Sequence, residues 1–160
     1  MANAAPRKVE TLSGPIEARV ERIIDGDTLI VKAKIWLSQE LTVRVRLAEI
    51  DTPEMNSRDQ KIRRAAWNAY KALFRMTHDR KIILRNIRSG KYAGRVIAET
   101  FLTDGTNISN ELLRMRLAVP YGKKFNRGQS CGQEFCRPNE FKNAPSLAPS
   151  LTQSLAQSLE

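Results

Sequence analysis

The chain holds a single histidine, His78, and two cysteines, Cys131 and Cys136. One imidazole cannot form the pair that metal-free RNA cleavage uses. A lone C-x4-C spacing without a second ligand pair gives a structural zinc centre too few donors. The cysteines fit either a local disulfide in an oxidising compartment or two reduced thiols. No apolar run approaches the roughly 20 residues that a membrane-spanning helix needs. The opening Met1 to Lys8 has no apolar segment of the signal-peptide kind, so the default expectation is a cytoplasmic chain. There is no Gly-x-Ser-x-Gly elbow, and Gly90-Lys91-Tyr92 lacks both the first glycine and the Ser or Thr of a phosphate-cradling Walker loop. The spaced acids and closing glutamate of an EF-hand are missing too.

Acidic residues are scarce in one stretch. Between Arg58 and Arg95 there are 12 Lys or Arg and only 2 acids, Asp59 and Asp79, an excess that equals the net charge of +10 for the whole chain. Such a stretch is either a solvated surface or a binding face for polyanions, nucleic acid first among them, through counterion release that ignores sequence. At 160 residues the chain has room for one domain with a real core.

Residues 1–14 read as a flexible lead-in, 15–122 as the folded domain, and 123–160 as a polar, low-complexity tail whose Ser-Leu repeats (Ser146-Leu147, Ser150-Leu151, Ser154-Leu155, Ser158-Leu159) are expected to be disordered. Ile16 to Ile24 reads as a strand, followed by Asp25-Gly26, a hairpin signal. Leu29, Val31, Ala33 and Ile35 form one face of the next strand. A turn is expected around Ser38-Gln39-Glu40. Leu41, Val43, Val45 and Leu47 then alternate with Thr42, Arg44, Arg46 and Ala48. Ser57 with Gln60 fits a capping box, and Ile62, Ala66, Ala69, Leu73 and Met76 recur at helical spacing, with Ala65, Trp67 and Tyr70 widening the apolar stripe. Strands over Lys81–Ile87 and Arg95–Leu102, an Asp104-Gly105 turn and a short helix at Ile108–Met115 complete the domain. The order β-β-β-α-β-β-α, mostly local and antiparallel, predicts a mainly β fold with α: a five-stranded OB-type barrel with two or three helices.

Three runs could carry chemistry: Ile24-Asp25-Gly26-Asp27-Thr28, Arg44 through Glu54, and Gly90 through Arg95. Asp27 follows a tight hairpin and Asp51 ends a strand, so a barrel could bring both carboxylates together as ligands for a hard cation, with Thr52 adding a carbonyl or hydroxyl oxygen. Glu54, three residues beyond Asp51, could take a proton from water. Arg46 and Arg95 offer planar forks matched to phosphate oxygens. Taken singly, each position is more often what a turn, a strand end or a cross-strand ion pair carries than a functional residue.

Asp25-Gly26-Asp27-Thr28, then Arg46 five residues before Asp51-Thr52-Pro53-Glu54, then Gly94-Arg95 opening a strand, resembles the thermonuclease (staphylococcal nuclease-like) family over about Ile16 to Tyr121. The resemblance implies an OB-fold barrel and a Ca²⁺-dependent endonuclease, a hydrolase that cuts DNA and RNA, preferably single-stranded or breathing, to leave 3′-phosphate ends. It implies Asp27, Asp51 and the Thr52 carbonyl as calcium ligands, Glu54 acting on the attacking water, and Arg46 and Arg95 on the scissile phosphate. Lys91, Tyr92 and Tyr121 become candidate contacts to the nucleotide, and the expected working state is a monomer away from membranes. The third run departs from the usual Asp-Lys-Tyr-Gly-Arg: Gly90 replaces the acid and Ala93 separates Tyr92 from Gly94. Arg116 stands where a helix-ending glycine is common. The rival reading is an OB module that binds single strands without cutting them.

Overall fold

The computed structural model describes residues 10–91, 94–123 and 125. Its elements are β1 (Thr11–Leu12), β2 (Ile16–Asp25), β3 (Thr28–Trp36), β4 (Gln39–Leu47), β5 (Ile50–Asp51), α1 (Gln60–Thr77), β6 (Lys81–Ser89), β7 (Arg95–Leu102), α2 (Ile108–Arg114) and β8 (Val119–Pro120). The five long strands join in the order β6-β2-β3-β4-β7, and β6 also pairs with β7, which closes the sheet into a barrel. Every contact in the ring is antiparallel except β4 with β7. Closure leaves no long edge within the ring to recruit a foreign strand. The expected five-stranded barrel is therefore present with two helices, and three two-residue strands are added. β1 extends the sheet beyond β6, and β5 pairs with β8 apart from it.

Period-two alternation builds the core. Leu29, Val31, Val45, Leu47, Ile82, Leu84 and Ala98 point inward and are fully or almost fully buried. Each large side chain in that set contributes roughly 2 kcal/mol by leaving water. The alanines of α1, Ala66, Ala69 and Ala72, are buried as well and let the helix lie close against the barrel. The closest approach is at Gly26, where an added Cβ would stand 2.7 Å from Ala69 Cβ and 2.9 Å from Thr52 Oγ1. Glycine is the residue that fits between hairpin and helix.

Several local expectations are corrected. The cap of α1 is Asp59, whose carboxylate accepts from the Lys61 N–H at 2.8 Å; Ser57 instead accepts from the Asp59 N–H one turn earlier. The β3–β4 turn is Leu37-Ser38, with Ser38 at φ 60°, and Gln39 already belongs to the strand. Trp67 faces outward, 50% exposed, while the polar Asn68 and Thr77 are buried; Thr77 satisfies its hydroxyl on the Leu73 carbonyl at 2.8 Å. Arg116 itself takes the left-handed conformation after α2, at φ 57°. Leu117 N–H reaches the Leu112 carbonyl and Arg116 N–H the Leu113 carbonyl, which is the Schellman pattern built without glycine. Tyr92, Cys131, Cys136 and the Ser-Leu repeats lie outside the described residues. Among the described residues no helix is long and apolar enough to cross a membrane.

Candidate active site

The two-residue turn Gly26-Asp27 and the registers of β3, β4 and β7 assemble the site. Thr28 lies opposite Arg46, and Arg44 lies opposite Arg95. Since paired residues share a face, Thr28, Arg46 and Arg95 emerge on the outside of the barrel wall. Their inward neighbours Leu29, Val45 and Leu47 are locked in the core. The Leu47 N–H also bonds the Asp27 carbonyl at 2.9 Å, tying the turn to β4.

Arg46 is the junction. Its Nη1 lies 2.8 Å from Asp27 Oδ2, and its Nη2 bonds both Asp51 Oδ1 and, at 3.3 Å, the Ile50 carbonyl. The turn that carries Asp27 and the strand end that carries Asp51 thus bring both carboxylates onto one guanidinium. Thr52 joins them, its N–H donating to Asp27 Oδ2 at 3.4 Å. A second chain runs from Arg95. Its Nη2 donates to Thr28 Oγ1 at 3.0 Å, and that hydroxyl donates onward to Asp27 Oδ1 at 2.9 Å. Arg95 Nε is buried and finds no acceptor among the described residues. A buried, unmet N–H costs about 1–3 kcal/mol, so such a group calls for a partner.

Asp27 is only 4% exposed. Burial pushes its carboxyl up to about 6, against the opposing pull of Arg46, and the neighbouring Asp25 adds to the rise. So desolved a carboxylate has a standing demand for positive charge that one partly exposed arginine does not meet in full.

Calcium, which the resemblance implies, takes hard oxygen donors from carboxylates, carbonyls and water. Two carboxylates meeting at one point, one of them under-compensated, fit that demand. Among the described residues no group of three or more His, Cys, Asp or Glu side chains could hold a metal ion. Carbonyl oxygen and water would therefore complete the shell.

The other predicted residues are spread around this junction. Glu54 is exposed in the loop after β5, its carbonyl bonded by the Ser57 N–H at 3.3 Å. Tyr121 is exposed just after β8, held by its N–H on the Glu49 carbonyl. Lys91 is exposed beyond the end of β6. Three contributors were not assigned from the sequence: Thr28, which links Arg95 to Asp27; Asp25, whose Oδ1 accepts from the Asp27 N–H at 3.2 Å; and Gly122, whose N–H holds Asp51 Oδ2 at 3.0 Å. A hydroxyl at the first position of a strand, directly after an acid, was the available signal for Thr28. Gly122 acts through its backbone, which no residue type reveals.

An uncharacterized endonuclease of Escherichia coli is 28% identical to this chain over 110 residues, 69% of this chain and 64% of the relative. An uncharacterized endonuclease of Escherichia coli O157:H7 matches at the same identity and coverage. The chain thus spans less than two thirds of the length of these curated relatives. The family described as staphylococcal nuclease homologue matches residues 44–136, more than half of the chain, taking in Arg46, Asp51, Glu54 and Arg95. Asp27 lies upstream of that segment, yet the fold delivers it to the same guanidinium. With barrel, junction and matched segment in agreement, the chain belongs to the staphylococcal nuclease homologue family.

Proposed function

We propose that the chain is a calcium-dependent nuclease that hydrolyses DNA and RNA to 3′-phosphate and 5′-hydroxyl ends. The observation that carries this reading is the Arg95 guanidinium. It is held at Nη2 by Thr28, with a buried Nε–H awaiting an acceptor, beside a second guanidinium anchored on two acids. Two forks fixed on adjacent strands suit the oxygens of one phosphodiester.

Asp27 and Asp51, through their carboxylates, and Thr52, through its carbonyl, would hold the calcium. When bound, that ion would neutralise phosphoryl charge and so favour attack at phosphorus. Arg46, already pinned by both aspartates, has little rotamer freedom left to lose on meeting a phosphate. Arg95 offers its Nε–H to a non-bridging oxygen or to the departing 5′-oxygen. Glu54, in solvent, takes the proton from the attacking water. The water oxygen adds to phosphorus, the P–O5′ bond breaks, and the leaving oxygen takes up a proton. Tyr121 and Lys91 serve as contacts along the nucleotide. A barrel wall with the site on its outside admits an extended strand more readily than a stiff duplex, which accounts for a preference for single-stranded or breathing substrate.

Cleavage of fluorescent single-stranded DNA with Ca²⁺, beside an EGTA control and Glu54→Gln, tests the reading. Calcium-dependent cutting that falls roughly 10²–10⁴-fold in Glu54→Gln, with binding of the strand retained, is the expected result. Tight binding without cutting in any divalent metal would leave a single-strand-binding barrel instead.

A further inference from the structure

Helix α1, Gln60–Thr77, carries five basic residues and no acid over its 18 positions. Its inner face is spent on the core through Ala66, Ala69, Ala72 and Leu73. The outer face is not simply charged. Trp67 stacks on Tyr70 with ring centroids 5.1 Å apart and planes 2° from parallel, and Phe74 stacks on His78 at 4.4 Å and 18°. Trp67 and Phe74 remain 50% and 41% exposed. At 3.6 residues per turn, Trp67, Phe74 and His78 fall within about 40° of one another, and Trp67 and Phe74 lie two turns, about 10 Å, apart along the axis. Arg64, Lys71 and Arg75 follow one flank of this ridge.

Half-exposed rings spaced along a line, on a helix that carries cations and no acid, match the chemistry of a single nucleic-acid strand: bases stack on the rings and phosphates meet the cations. The helix has no acid to balance its five cations, so a polyanion suits the ridge better than a protein surface of mixed charge. The ridge is also well placed. The opposite side of the helix, at Ala69, packs against Gly26, the residue before Asp27. One helix diameter, about 10–12 Å, therefore separates the ridge from the turn that carries the buried acid.

We propose that the outward face of α1 is a second track for single-stranded nucleic acid, stacking bases on Trp67 and Phe74 and engaging phosphates with Arg64, Lys71 and Arg75. It rests on the nuclease reading for its purpose, which is to hold a long strand at a distance from the bond being cut. The track raises affinity for long strands and leaves the chemical step alone.

The test uses the full chain with Trp36→Phe, so that Trp67 is its only tryptophan. Titration with a thymidine oligonucleotide of about 16 residues in EGTA, the upper site size of one OB fold, quenches Trp67 emission to saturation. Phe74→Ala in that background weakens binding about 5–100-fold. In cleavage assays Trp67→Ala raises KM for the long strand by a similar factor with kcat unchanged. It leaves kcat/KM for a dinucleotide substrate as it was, and Trp67→Phe, which keeps a ring, recovers most of the loss.

Unquenched Trp67, or equal KM values in wild type and Trp67→Ala, overturns the inference while a normally cutting enzyme keeps the nuclease reading. A chain that cuts nothing, yet shows the quench, keeps the track and removes the nuclease. A concentration-dependent shift of Trp67 emission that follows dimerisation would assign the ridge to a second copy of the chain. A shift on deleting residues 126–160 would assign it to the tail. Either result overturns the proposal.

Discussion

The β3–β4 hairpin has two ends built on the same alternation, and they meet different surroundings. At the Thr28–Arg46 end, polar and charged side chains are covered. Asp27, Thr28 and Arg46 lock together beside Asp51, itself held by the Gly122 N–H, with β2 and β7 completing the wall on either side. At the Trp36–Gln39 end the reverse holds. Pairing with β2 stops at Ala33 and pairing with β7 reaches no further than Arg44, so the hairpin runs on past the barrel as two strands alone. There Ile35, Trp36, Leu37 and Leu41 stand in solvent, Leu37 at 77% exposure. The period of two told which way each side chain points at both ends. Whether anything lies in that direction is decided by neighbouring strands, and they come from distant parts of the chain.

This contrast can be broken first at the mouth. Arg46→Ala leaves Asp27 buried with its principal countercharge gone, and urea denaturation should show a loss of about 3 kcal/mol, the lower end of the range for broken buried pairs because Arg46 is partly exposed. Cleavage should vanish with it. Asp27→Asn sharpens the point by moving the opposite way. Burial outweighs the attraction of Arg46 at this carboxyl, so a neutral amide should raise stability in EDTA at pH 7 by on the order of 1 kcal/mol while abolishing calcium-dependent stabilisation. A fall in stability would mean that charge pairing, and not desolvation, governs the mouth. Arg116→Gly removes the cost of a left-handed arginine in the turn leading to β8, and should raise the thermal midpoint by the equivalent of about 1 kcal/mol with activity unchanged. At the far end Trp36→Ser should change stability by less than about 0.5 kcal/mol and leave cleavage as it was.

The barrel was largely legible because its signals are local: alternation, an Asp-Gly turn, and an alanine-rich helical stripe. The junction was legible in part. Asp27, Arg46 and Asp51 could be named from residue type and order, since a two-residue turn and a strand register do most of the placing. What could not be read was the wiring between elements. Thr28 serving Arg95 is a contact across 67 residues, and the Gly122 amide on Asp51 one across 71. Trp67 was misplaced for a related reason. A helical stripe wide enough to include it looks like core unless the width of the surface it packs on is known, and alanines at the contact made that surface narrow. Ser57 lost the cap to Asp59 because overlapping side-chain turns start at both, and the helix begins at the second.

The missing side chain at Gly26 has a mechanical consequence. With Ala69 and Thr52 both inside the space a Cβ would need, the turn and the helix behave as one body rather than as two parts joined by a flexible pad. A substitution on the inner side of α1 that shifts the helix is transmitted directly to the backbone that aims Asp27. The aim of the site is thus set by the inner seam of the helix, and the outer face is left to vary without disturbing it.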